Sequence, residues 1–208
     1  MSQGRRFFIS RRLVIRQGEG TIALEDIIGD EVVSADAKII GEVEGIAIDI
    51  NTWRAPVIRI GLNKGVEASL GIKKPMFGAA RMFIESLYVD HVSDLVTLSK
   101  KLSDLKNFSI DQSQIPLMAG DIVGKRVVCR KGREIGVVES IMFDTKTTWI
   151  VPYFKVRLEK GVVDDLKLKK PLLKTPLITI ATKDVRTVGD LVMLAIEMDQ
   201  IKEMLERS

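Results

Sequence analysis

One cysteine, Cys129, and one histidine, His91, leave most metal and covalent chemistry without its raw material. A structural zinc site needs four Cys or His ligands, and no Cys/His cluster exists to supply them. A Ser-His-Asp or Cys-His relay would have to use His91, around which there is no motif. With a single thiol no disulfide forms within the chain, which points to a reducing compartment, and Cys129 beside Val127 and Val128 reads as a buried, inert thiol. Aromatic residues make up only 5% of the chain, so a core must be built from Val, Ile and Leu. No apolar run approaches the ~18 residues that cross a bilayer, and no signal-peptide pattern opens the chain, so a soluble, cytoplasmic protein is expected. Glycine-rich phosphate loops and dinucleotide fingerprints are absent too. No cofactor is implied, and a binding or structural protein is expected rather than an enzyme.

What the chain does contain, it contains twice. Gly41-Glu42-Val43-Glu44-Gly45-Ile46-Ala47-Ile48-Asp49 reappears as Gly136-Val137-Val138-Glu139-Ser140-Ile141-Met142-Phe143-Asp144. Each copy starts at a glycine, where a positive φ is accessible. Each then runs through β-branched and apolar residues to a polar cluster that favours a turn. Trp53 and Pro56, or Trp149 and Pro152, lead into a second apolar run. Strand, turn, strand is the reading, with Asp49 and Asp144 capping their own turns. The correspondence extends upstream, where Asp26-Ile27-Ile28-Gly29 matches Asp121-Ile122-Val123-Gly124, and downstream, where Lys73-Lys74-Pro75 matches Lys169-Lys170-Pro171. One inserted residue, in the turn, separates the copies, as a duplication would leave it.

The expected organisation is a basic arm over 1–21, a first domain over 22–107, a short polar join and a second domain over 115–208. The arm carries Arg5, Arg6, Arg11, Arg12 and Arg16 against Glu19 alone. It reads either as a strand packed on the first domain with its arginines in water, or as an arm docking on an anionic surface. The first domain has 10 Lys and Arg against 13 Asp and Glu, the second 17 against 13. An acidic and a basic unit on a short tether suggest head-to-tail association, and unpaired strand edges add to that expectation. Each domain is expected to end in an apolar helix. Leu95, Leu98, Leu102 and Leu105, with Val92, form one face in the first. Leu191, Leu194, Met198, Ile201 and Leu205 follow in the second, at the spacing of a helical seam with Asp190 as N-cap. These two faces are the candidate self-association or partner surfaces. Trp53 and Trp149 are expected to pack on their own domains.

The positions Asp26, Gly29, Val32, Val33, Gly41, Val43, Ile46 and Asp49, and again Asp121, Gly124, Val127, Val128, Gly136, Val138, Ile141 and Asp144, resemble the PRC-barrel family. The resemblance implies a mainly β fold of two tandem, small SH3-like barrels, each with its trailing helix, acting by protein contact with no catalytic residues. It also implies two functional settings. An archaeal branch of tandem barrels is implicated in FtsZ-based cell division, linking membrane-associated division factors. A ribosome maturation factor uses one barrel to bind a small-subunit protein. The duplicated layout favours a scaffold or adaptor of the first kind, a homo-oligomer or paralogue hetero-oligomer recruited to the division site. Membrane contact would then be indirect or through the arm. An RNA- or ribosome-associated factor is the alternative, helped by a pI near 9.1. Nucleic acid is not favoured as a partner, because aromatic platforms among basic residues are missing.

Overall fold

The computed structural model describes residues 20–73, 75–146, 149–168 and 176–206, so Arg5, Arg6, Arg11, Arg12 and Arg16 lie outside the described residues. The chain is mainly β, folded around one curled, 14-stranded sheet with a few short helices. Its two longest strand pairs are the ones that alternation predicts. β3 (Ile39–Asp49) pairs antiparallel with β4 (Arg54–Leu62), and β10 (Glu134–Asp144) with β11 (Ile150–Leu158). Both carry the same register shift, between Val43 and Gly45 in one and between Val138 and Ser140 in the other. A bulge at that point turns the strand and deepens its twist, which curls the sheet.

Around each long pair the same strands assemble. β2 (Glu31–Val33) and β9 (Arg126–Val128) flank β3 and β10, while β5 (Arg81–Glu85) and β12 (Leu177–Ala181) flank β4 and β11. A final hairpin, β6 (Val89–Val92) with β7 (Val96–Leu98), closes on β2 through a parallel pairing. Its counterpart, β13 (Val185–Val188) with β14 (Val192–Leu194), closes on β9. The strand order β13-β14-β9-β10-β11-β4-β3-β2-β7-β6 therefore reads the same from either end. The inward residues are those with β-branched or aromatic side chains, among them Ile46, Ile58, Ile60, Ile84, Ile141, Phe154 and Val156, and all are buried. Cys129 is buried and free.

The two expected trailing helices need correction. Leu95 to Leu105 is no α-helix. Leu95 sits in the bend before β7, Leu98 lies within β7, and Leu102 and Leu105 belong to a 3-10 turn over Leu102–Phe108. In the second half Leu191 and Leu194 likewise belong to the β13–β14 hairpin, with Asp190 in its bend rather than capping a helix. Only Met198, Ile201 and Leu205 share a helix, α4 (Met198–Glu206). The reason is that Val96 and Leu98, like Val192 and Leu194, alternate inward and pair with β2 or β9, distant strands whose hydrogen bonds outweigh local helix propensity. Among the described residues there are three more short helices: α1 (Leu24–Ile27), α2 (Val66–Ser69) and α3 (Lys160–Asp165).

The glycines opening the two copies also play another part than expected. At Gly41 a Cβ would collide with the carbonyl oxygen of Gly61, and at Gly136 with that of Arg157. Close backbone approach, not a positive φ, is what those positions require. The positive φ falls at Gly29 and Gly124 instead, 94° and 84°, where the chain turns to send its N–H to Val43 and Val138.

Candidate interaction surface

The two halves join edge to edge. β4 pairs antiparallel with β11 at Arg54 and Ile150. The N–H of Ala55 donates to the carbonyl of Trp149 and the N–H of Val151 to that of Trp53, both at 2.7 Å. These bonds map onto each other when the halves are exchanged, so an approximate two-fold axis passes between the hairpins. Such reciprocity is the signature of an isologous contact, here made within one chain. Both tryptophans hold left-handed backbone, at φ 52° and 49°. Trp53 does not pack only on its own half: its ring meets Phe154 of the other half edge-on, with centroids 5.2 Å apart. Trp149 is buried near Phe143 at 6.5 Å.

Each half also lends the other its lead-in strand. β1 (Thr21–Ala23) pairs with β10, placing Ile22 opposite Phe143 and Ala23 opposite Met142. β8 (Leu117–Met118) pairs with β3, placing Leu117 opposite Ile48 and Met118 opposite Ala47. The join between halves is held as well, because Ile110 donates its N–H to the Phe83 carbonyl at 2.8 Å and packs with Ile115 over Ala47, Val57 and Phe83. The acidic and basic halves are thus already paired in cis.

At the crossing of the exchanged segments a shallow cleft of about 600 Å³ opens, lined by Leu24, Glu25, Ile28, Gly120, Val123 and Glu139. Ile28 and Val123 are matching positions in the two copies, and both stay exposed, at 40% and 37%. Its lining is largely apolar, with Glu25 and Glu139 as its acids. Glu25 accepts a hydrogen bond from Ser140 Oγ across the junction, and Glu139 accepts one from Arg157 at 2.8 Å. Sequence reasoning had the residues, since Ile28 and Val123 sit in a matched motif, but nothing local signals that the strands before them are exchanged.

The residues singled out from sequence fare differently. Leu98, Leu105, Leu194 and Ile201 are buried in the common core, while Leu95, Leu102, Leu191, Met198 and Leu205 are half-buried. Met198, Ile201 and Leu205 keep one face of α4, while the leucines before them belong to strands, bends and a 3-10 turn. Asp49 caps its turn, accepting from the Asn51 N–H at 2.9 Å and the Thr52 hydroxyl at 2.8 Å, and these bonds hold its carboxyl below the ordinary range. Asp144 accepts from the Lys146 N–H at 3.1 Å. Among the described residues no three His, Cys, Asp or Glu side chains gather to hold a metal, and no helix is long and apolar enough to cross a membrane.

No curated protein matches the sequence. Among solved structures the chain is similar to one described as a putative 16S ribosomal RNA processing protein RimM from Pseudomonas aeruginosa. That similarity is at 10% identity and a TM-score of 0.28, over 86% of this chain and 99% of that one. A family model matches the first copy: the PRC-barrel domain, over residues 19–79.

Proposed function

We propose that the chain is a non-enzymatic adaptor in which two PRC barrels, in tandem and locked together by exchanged strands, offer the cleft at Leu24, Ile28 and Val123 to a partner protein. The observation that carries this reading is the pair Ile28 and Val123. They are equivalent residues from the two copies, both apolar, both exposed, and brought to one cleft by the pseudo-two-fold. Burying such a pair removes apolar surface from water, and Glu25 in the cleft lining, which has no ion pair among the described residues, favours a partner segment whose apolar side chain is flanked by Lys or Arg. The finer reading places this adaptor at the archaeal division site, bridging membrane-associated factors.

Fluorescently tagged protein in the source cell tests it. A mid-cell band that the double substitution Ile28→Asp, Val123→Asp abolishes, with the melting temperature kept, is the expected result. A ribosome-cosedimenting signal, untouched by that substitution, would overturn it in favour of a ribosome-associated factor.

A further inference from the structure

The two most exposed large apolar side chains of the described chain are neighbours. Met76 is 89% and Phe77 86% exposed, in the loop between α2 and β5. The loop is anchored at both ends, with Leu70 and Ala80 buried and Ile72 packed against the core, so its tip stands clear of the barrel. Gly78, at φ 81°, turns the chain back directly after the pair. Neither side chain contributes to a core cluster.

Lysines flank the loop that bears this tip, Lys73 three residues before Met76 and Lys64 ahead of α2, although that half has more acids than bases. Lys64 and Lys73 are exposed, and the Lys106 ammonium lies against Gly71, 3.0 Å from where a Cβ would stand. Among the described residues none of the three has an ion pair. Glu67 in α2 accepts from the Gly65 N–H at 2.7 Å, and Glu44 holds Arg81 at 2.5 Å. The sequence has the same composition in its second copy, where Lys169-Lys170-Pro171 is followed by Leu172-Leu173 as Lys73-Lys74-Pro75 is by Met76-Phe77.

We propose that this tip is a membrane-contact loop, inserting Met76 and Phe77 into the headgroup–acyl boundary of an anionic bilayer while Lys64, Lys73 and Lys106 meet lipid phosphates. A two-residue protrusion has no concave surface to receive a ligand, and its apolar area is satisfied by a fluid, deformable layer. Lysine stems lie along such a layer with the ammonium at headgroup level, and an anionic leaflet attracts them. This goes beyond the adaptor reading and stands without it, because the loop and the Ile28–Val123 cleft are separate surfaces.

Co-sedimentation of the full chain with phosphatidylserine/phosphatidylcholine vesicles at about 0.1 M salt is the test, with pure phosphatidylcholine vesicles beside it. The expected result is binding to the anionic vesicles alone, weakened by salt. Met76→Ser with Phe77→Ser should lose at least fivefold in affinity at unchanged melting temperature, and Lys73→Glu should lose binding in the same direction. An environment-sensitive dye on Met76→Cys should shift to the blue on anionic vesicles. Binding by the serine variant equal to wild type would show that the basic arm or another surface carries the contact, and would overturn the proposal. So would a dye that stays in water while the protein pellets, or wild type that ignores anionic vesicles.

Discussion

Trp53 and Trp149 occupy one position in two hairpins and share one unusual conformation, with φ of 52° and 49°. A bulky side chain in left-handed backbone costs about 1–2 kcal/mol, so both must be over-determined by what surrounds them. The carbonyl of each accepts a bond that ties the halves together, and each ring meets a phenylalanine of the second half, Trp53 against Phe154 and Trp149 against Phe143. Trp149→Ala should therefore destabilise by about 3–5 kcal/mol, the usual loss for a buried aromatic. Trp53→Ala should cost less, because its ring is only half-buried. Urea titration of both variants checks the order, and equal costs would mean that the rings do not set it.

A similar asymmetry is expected at two other matched positions. Gly71 has φ 63°, and its counterpart in the second copy is Lys167 at φ 52°. Lys167→Gly should be neutral to stabilising, by up to about 1 kcal/mol, as relief of the left-handed penalty offsets added freedom in the unfolded chain. Gly136→Ala, which drives a methyl into the Arg157 carbonyl, should destabilise by about 1–3 kcal/mol. Thermal melts of the two variants should move in opposite directions or, at the least, far apart.

Asp30 gives a pH-dependent expectation. One of its carboxyl oxygens is enclosed without a hydrogen-bond partner, and burial first, then Asp94 and Asp26, raise its pKa above 3.8. The folded state thus holds this proton more tightly than the unfolded one. Asp30 costs stability once the pH rises past its folded pKa, and the cost disappears below its unfolded value. Asp30→Asn should raise the melting temperature at pH 7, with a gain that shrinks toward zero as the pH falls. Asp49 has the opposite sign. Its carboxyl is held down by the Asn51 N–H and the Thr52 hydroxyl, so its contribution is present at neutral pH and is lost as the pH falls through the folded value. Asp49→Ala should accordingly cost most at pH 7 and least in acid. Melting curves from pH 3 to 7 separate the two behaviours.

Because β1 belongs to the sheet of β10 and β8 to that of β3, neither half is complete alone. Fragments 1–114 and 115–208, co-expressed from separate genes, should co-purify as a one-to-one complex. Either fragment by itself should expose Met142 or Ala47 and associate or unfold. Two stable, monomeric fragments with no affinity for each other would contradict the exchange.

The sequence repeat revealed the strands of the two long hairpins, because their alternation and their turn residues are local signals. It misled at Leu95-Leu98-Leu102-Leu105, where a bend residue, one inward strand position and a 3-10 turn reproduce the spacing of a helix face. What settled that segment is the parallel pairing of β7 with β2, more than sixty residues away. The cleft was half legible. Ile28 and Val123 stand out as matched residues, yet nothing near them announces that Ile22 will lie opposite Phe143. Met76 and Phe77 carried no signal as a surface, since an apolar pair after Lys-Lys-Pro reads equally well as core.

The exchanged lead strands also set a timetable for synthesis. Thr21 to Ala23 leave the ribosome early, but their pairing partners, Met142 to Asp144, follow more than a hundred residues later. At ordinary elongation rates of about 5–20 residues per second the first strand waits roughly 6–24 s before it can be used. The first long hairpin, likewise, keeps an open edge until Leu117 and Met118 emerge. An interval of that length with unpaired strand edges is one in which a nascent chain can pair with its neighbour on the same message, so crowded translation would favour intertwined dimers made from the same bonds as the monomer.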